Sequence, residues 1–469
     1  MRVLPRNCAF DTKGCAAFID GDGCKEILGL LALTNSEIFS WLIEAQIAAA
    51  DAAARSYDTG LINRTPIPPI GQDAQNILSD LVQQSWSLKR SLDAVVETSH
   101  AFSLPVKLRV RLGDYNPSSI EAELAEIQQA IEEVSFNLYG FSNEDRTAVR
   151  SSGLTDENRS AVVDDADDGE DDDSVAIVDQ TDGLLSWAIG VTFGRFDWRL
   201  ATGERKGQPE PDPFAPLPAR SPGMLLDGAT AFHAYQGVLV DDQGHTHDLS
   251  GLIEAVLDRV DAEVPGDVRR WLQREFFALH LKQYSKSRRK APIYWPLSTA
   301  SGSYTLWVYY PDLTSQTLYT AVNDFIEPKL NQVERDAAVL RDKGNARSGN
   351  DEKAYEALQS LELELIELRD TLLRIAPTYK PNHDDGVQIS AAPLWQLFTH
   401  KPWQKVLKDT WVKLEKGDYD WAHLAMAYWP SRVRGKCRTD KSLAIAHGLE
   451  DLYEEVPAPK KKAGKKGAE

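Results

Sequence analysis

Five cations fall within nine residues between positions 282 and 290: Lys282, Lys286, Arg288, Arg289 and Lys290, interleaved with Tyr284. Side chains of this kind neutralise phosphates, and an arginine fork can also meet phosphate or guanine bidentately. A solvated turn between two elements would carry the same pattern. Arg64, beside Pro66, Pro68 and Pro69, is a lesser DNA-binding candidate. Arg432, Arg434, Lys436, Arg438 and Lys441 form a second basic strip, suited to DNA or to a protein partner. Tyr304, Trp307 and Tyr309 lie in an aromatic run with Leu306 and Val308. Such rings could stack on bases, but core packing in a strand demands the same residues and is the expected use.

Other constellations are weaker. His245, His247 and Asp248 could ligate a metal on paper, but they follow the turn-like Asp241-Asp242-Gln243-Gly244 and read as a surface loop. Cys8, Cys15 and Cys24 are close in sequence without a CxxC spacing, so reduced thiols are expected, with a zinc site as the alternative. The acidic block near residue 170 lacks EF-hand spacing. There is no P-loop, no HExxH and no GxSxG. Enzymes that methylate base amino groups need a glycine-rich cofactor loop and an (Asp/Asn)-Pro-Pro-(Tyr/Phe) tetrapeptide to hold a flipped base. The only adjacent prolines, Pro68 and Pro69, sit between Ile67 and Ile70. Neither catalytic nor cofactor-binding nor metal-binding residues are therefore expected in this chain.

The elements that position these residues can be read from spacing. The chain has 469 residues, 42% hydrophobic and 26% charged, a size for two or three domains. Its net charge of −19 disfavours indiscriminate coating of nucleic acid. There is neither an apolar run long enough to span a membrane nor a signal-peptide pattern, so the cytoplasm is expected. The start, residues 1–18, has no leader or helix cap and reads as the middle of a domain.

The expected fold class is α+β and predominantly helical. Residues 1–155 form a mixed recognition segment with helices over 27–43, 73–100 and 120–134, and extended chain over 57–69. Residues 156–185 form an acidic linker; 161–182 hold ten Asp or Glu and no Lys or Arg. An α/β domain follows over 186–324, with a helix at 268–283, the basic loop, and a β-hairpin pairing 293–298 with 304–310. Leu358, Leu361, Leu365, Leu368, Leu372 and Ile375 mark a heptad seam, and Leu330, Val333, Ala337 and Leu340 another, predicting an antiparallel coiled-coil hairpin over 325–376. A Trp-rich helical block (377–456) and a lysine-rich disordered tail (457–469) complete the chain.

Several long segments resemble the C-terminal half of PglX-type adenine-specific DNA methyltransferases of BREX phage-defence systems. The strongest is KSRRKAPIYWPLSTASGSYTLWVYYPDLTSQTLY (286–319) with NDFIEPKL (323–330), followed by GDYDWAHLAMAYWPSRVRGKCRTDKSLAIAHGLEDLYEE (417–455). HDDGVQISAAPLWQL (383–397), FGRFDWRLATGE (193–204), LLALTNSEIFSWLI (30–43) and YDTGLINRTPIP (57–68) fit the same pattern. The resemblance spans about residues 10–455 and omits the acidic linker and lysine tail. It implies target recognition or DNA clamping for N6-adenine methylation, with double-stranded DNA as partner. The family's S-adenosylmethionine loop and Asn-Pro-Pro-Tyr element are not here, so that cofactor and methyl transfer would belong to a catalytic half on a separate chain. The alternative is a non-enzymatic scaffold that docks other phage-defence subunits.

Overall fold

The computed structural model describes residues 2–8, 16–19, 23–49, 59–151, 179–235, 237–286 and 289–454, with backbone alone at 47–49 and 59. The chain divides into two compact units, residues 1–232 with 256–263 and residues 233–255 with 264–469. Residues 186–232, expected with the later domain, thus belong to unit 1. The fold is α+β and predominantly helical. Among the described residues no single helix is long and apolar enough to cross a membrane.

Unit 1 is built on three helices, Cys24–Thr34, Gln72–Asp93 and Pro117–Tyr139. Leu28, Ala32, Leu78, Val82, Ile127 and Ile131 meet in one core. The third helix starts where Asn116 accepts the Ser119 N–H and Pro117 fixes the first turn, and it stops at Gly140, whose φ of 69° suits a residue without Cβ. The helix expected over 27–43 is two, because Asn35 and Ser36 interrupt it and the second half, Glu37–Ala49, leaves at 63°. Buried Glu132 accepts the Glu37 N–H at both carboxylate oxygens (3.0 and 2.9 Å), so a distant side chain caps the new start.

Two further readings are corrected here. The extended chain expected over 57–69 contains a short helix, Thr59–Arg64, and residues 66–70 after it form no helix or strand; 57 and 58 lie outside the described residues. The helix expected to reach His100 ends at Asp93. A buried helix, Gln180–Thr192, begins inside the stretch expected to be linker; residues 156–178 of that linker lie outside the described residues. Asp179 caps it by accepting the Thr181 N–H at 2.7 Å. Its Ser186 and, beyond it, Arg195 both bond Glu97, at 2.6 and 2.7 Å, the latter an ion pair almost free of solvent.

Unit 2 centres on a three-stranded antiparallel sheet in the order β1-β5-β4, from β1 (Val238–Asp241), β4 (Tyr294–Ser298) and β5 (Thr305–Tyr309). The hairpin β4–β5 pairs Tyr294 with Tyr309 and Ser298 with Thr305, and Gly302 (φ 76°) completes its turn. Pro296 is tolerated because β4 is an edge strand. The partner β1 has no signature in the sequence: Val-Leu-Val-Asp is too short for a pattern, and its register is set by β5.

Helix 268–283 carries a π-turn at Leu272–Phe276, and a second π-turn, Ala321–Ile326, opens the helix Glu327–Asp342. That helix pairs with Gly349–Ile375 through Leu330, Val333, Ala337, Leu365, Leu368 and Leu372, all buried. A capping box between Ser348 and Asp351 starts the longer helix. The helix Lys401–Lys416 buries Trp403, Leu407, Thr410 and Leu414, and short helices from His423 to Ala446 close the unit.

Within one turn of the long helix, Leu365 is fully buried while Leu363 is 69% exposed. Leu365→Ala should lower the unfolding free energy by about 2–5 kcal/mol, and Leu363→Ala should change it by no more than about 0.5 kcal/mol, both read by urea denaturation. Equal losses would mean that the helix pair does not pack along this seam.

Candidate nucleic-acid interface

The basic cluster at 282–290 is not a loop but a two-stranded ladder on a fixed foot. β2 (Ser285–Lys286) pairs antiparallel with β3 (Arg289–Lys290), Ser285 opposite Lys290 and Lys286 opposite Arg289. Ser287 and Arg288 lie outside the described residues. The Ala291 N–H donates to the Tyr284 carbonyl at 2.9 Å and closes the foot. The Ser285 hydroxyl donates back to the carbonyl of Leu281 in the preceding helix.

Below this foot sits His280, with no exposure to solvent. Its Nε2 accepts the N–H groups of Ile293 (2.9 Å) and Tyr294 (3.2 Å), the residues that start β4. The ring is therefore fixed with an unprotonated Nε2. It packs against Phe276, Tyr284 and Tyr294 at centroid distances of 5.4, 4.4 and 5.0 Å. The sequence pattern marks this residue as one of a helix; nothing in its spacing announces that it holds the next strand.

Lys282, Lys286 and Arg289 are exposed and Lys290 is half-buried. None of the four makes a salt bridge with a described residue. Lys282 lies in the last turn of its helix, where a cation meets the negative end of the helix dipole. Arg64 is exposed in the last turn of Thr59–Arg64 and belongs to unit 1, not to this cluster. Tyr304, Trp307 and Tyr309 are buried in the sheet, so their rings form core and no stacking platform.

The second basic strip divides. Arg432 and Lys436 both contact Asp420, at 2.6 and 2.7 Å. Arg432 also donates to the carbonyls of Leu414 and Glu415 (2.7 Å each), ending the helix Lys401–Lys416. Burial pushes the Asp420 carboxyl up, but the hydrogen bonds and charges of Arg432 and Lys436 prevail and leave it below the ordinary carboxylate value. These two cations brace the fold. Arg434, Arg438 and Lys441 remain exposed. A further group of cations escaped sequence reading: Lys401, Lys405, Lys408, Lys413 and Lys416, on one helix and all exposed. Their signal is lysines at i, i+4 and i+7 in KPWQKVLKDTWVKLEK.

The histidine loop shapes a recess of about 490 Å³ lined by Ala234, Tyr235, His245, Thr246, His247, Asp324 and Phe325. His233 Nε2 and His247 Nδ1 share a hydrogen bond at 2.8 Å. Asp248 points elsewhere: it accepts from Arg269 at 2.6 Å and from the backbone of Asp242 and Gly251. Among the described residues no three His, Cys, Asp or Glu side chains are gathered to hold a metal ion. Cys8 and Cys24 are described, and Cys15 lies outside the described residues.

A scan of the chain against protein-family models gives no match, and neither does a search of curated proteins.

Burial holds both His233 and His247 below the usual imidazole value of 6.5; the neighbouring ring adds to this in each, and Asp324 partly opposes it at His247. A histidine depressed on folding contributes stability that is whole above its unfolded pKa and is lost as pH falls through the folded one. The urea midpoint should therefore drop as pH falls below the usual imidazole value of 6.5, and the drop should be smaller in His247→Gln. An identical pH profile in the variant would show that the pair does not control this loss.

Proposed function

We propose that this chain is the DNA-recognition and C-terminal portion of a site-specific N6-adenine DNA methyltransferase of a phage-defence system, acting in the cytoplasm. The single observation that carries the reading is the basic ladder: cations without carboxylate partners among the described residues, presented from a rigid aromatic foot in an otherwise acidic chain. It also opens the stretch, 286–330, on which the resemblance to PglX-type methyltransferases is strongest. Lys286 and Arg289 would position the duplex through its phosphates, and the arginine fork could read a guanine edge.

The methyl donor does not fit here. Pro68 and Pro69 lie between Ile67 and Ile70, outside any helix or strand and just before the helix Gln72–Asp93, with no Asp or Asn before them and no aromatic ring after. No step of methyl transfer is assigned to these residues; S-adenosylmethionine and the base-holding tetrapeptide would lie outside residues 1–469. A second reading, a scaffold for other defence subunits, draws on Val339 and Leu363, apolar side chains 63% and 69% exposed on the helix pair.

Binding of fluorescent duplex DNA across a salt series separates the two. Lys286→Gln with Arg289→Gln should weaken binding and make log Kobs against log salt shallower by about two. Unchanged affinity and slope would overturn the DNA reading, and salt-insensitive association with another defence subunit would favour the scaffold.

A further inference from the structure

The helix Lys401–Lys416 has a fixed orientation. His400 caps it by accepting the Trp403 N–H, Pro402 sets its first turn, and Gly417, at φ 86°, ends it. Trp403, Leu407, Thr410 and Leu414 form its buried stripe. At 3.6 residues per turn, Lys401, Lys405, Lys408 and Lys416 fall on the opposite face, with Lys413 at its flank. Asp409 and Glu415 border that face, and neither makes a salt bridge with these lysines. The Lys408 ammonium lies over the Trp395 ring at 5.1 Å and the Lys413 ammonium over Tyr419 at 5.9 Å, contacts that hold these two heads in place without pairing them with a carboxylate.

The helix begins beside the basic ladder. Its cap, His400, packs edge-on against Phe277 at 5.6 Å, and Phe398 meets Phe277 at 6.2 Å and Trp295 of β4 at 6.3 Å. Phe277 belongs to the helix that carries Lys282, and Trp295 follows the ladder. Burial and the charge of Lys290 together hold the His400 imidazole below its ordinary value, so the end of β3 and the start of the lysine helix share one electrostatic neighbourhood.

We propose that the lysine face of helix Lys401–Lys416 continues the phosphate-binding surface of the ladder and clamps the backbone of double-stranded DNA without reading its sequence. The lysines run over about 22 Å at 1.5 Å per residue, the rise of about six base pairs at 3.4 Å each along one strand. Lysine is a compact point charge suited to phosphates and lacks the fork that reads guanine. The inference rests on the DNA reading above, and its own failure is separable from the failure of that reading.

The test uses the full chain, fluorescent duplexes of several sequences and a salt series. Lys401→Gln, Lys405→Gln and Lys408→Gln together should weaken binding by a similar factor for every duplex and make the salt slope shallower by about two to three. A control removing equal charge from the helix pair, Arg335→Gln, Arg341→Gln and Lys353→Gln, should leave the slope nearly unchanged. Urea midpoints equal to that of the unaltered chain verify folding. Loss confined to the ladder variant overturns the clamp and leaves the DNA reading standing. Equal losses in the lysine variant and the control would reduce the effect to net charge and also overturn the clamp. No salt-dependent duplex binding by the unaltered chain overturns both.

Discussion

His280 accepts two backbone N–H groups at the point where the chain stops being helix and prepares to become sheet. Both donors lie at the start of a strand whose residues are buried from Tyr294 to Ser298. A buried N–H without an acceptor costs about 1–3 kcal/mol, so the imidazole is a condition of the edge strand's starting where it does. The residues between helix and strand cannot join this core. They are cations, and the chain solves the conflict by folding them outward as a short ladder closed by Tyr284 and Ala291. The exposure of Lys286 and Arg289 is thus a consequence of how tightly the residues on either side are held.

The same economy divides the other charges of the molecule. Arg195 with Glu97, and Arg269 with Asp241 and Asp248, are pairs in which at least one partner is almost free of solvent, and each ties together segments distant in sequence. Removing one member of such a pair leaves a buried charge at a cost of about 3–5 kcal/mol. Arg432 and Lys436 do likewise around Asp420, next to Gly417, where a Cβ would meet both the lysine nitrogen and the carboxylate. Cations that brace the fold are unavailable to a ligand. Lys282, Lys286, Arg289 and Lys290 on the ladder and the lysines of the helix Lys401–Lys416 make no salt bridge with a described residue, and neither do the exposed Arg434, Arg438 and Lys441, so these, and not the basic strip as a whole, are the groups that can meet a polyanion.

Legibility in the sequence followed the range of the forces involved. The heptad leucines announced the helix pair because a repeating local pattern and the packing it produces are one phenomenon. The alternating aromatics around Ser301-Gly302 announced the β4–β5 hairpin for the same reason. Three features were silent. β1 is a strand only because β5 accepts it. The break at Asn35–Ser36 depends on Glu132, which lies far along the chain and supplies the cap. The ladder needs His280 beneath it. In each case the decisive partner is remote, and spacing carries no record of remote partners. The cations themselves could be found by counting, but counting could not say that Arg432 was committed and Arg289 was not.

An acidic chain with a few uncompensated basic surfaces has a physical logic of its own. A net charge of −19 repels a polyanion at distances near and beyond the Debye length of about 8–10 Å. Attraction from Lys286, Arg289 and the lysine helix acts within that length, where the local surface outweighs the distant sum. On the proposed reading, a duplex would be held only when it lies along the basic surface, and loose collisions elsewhere would be discouraged. Non-specific affinity would then be low relative to a docked complex, which is the ratio that matters to a protein reading sites among a large excess of other DNA. The acidity of the chain, taken alone an argument against nucleic acid, is therefore compatible with the proposed DNA-binding part and would sharpen its selectivity.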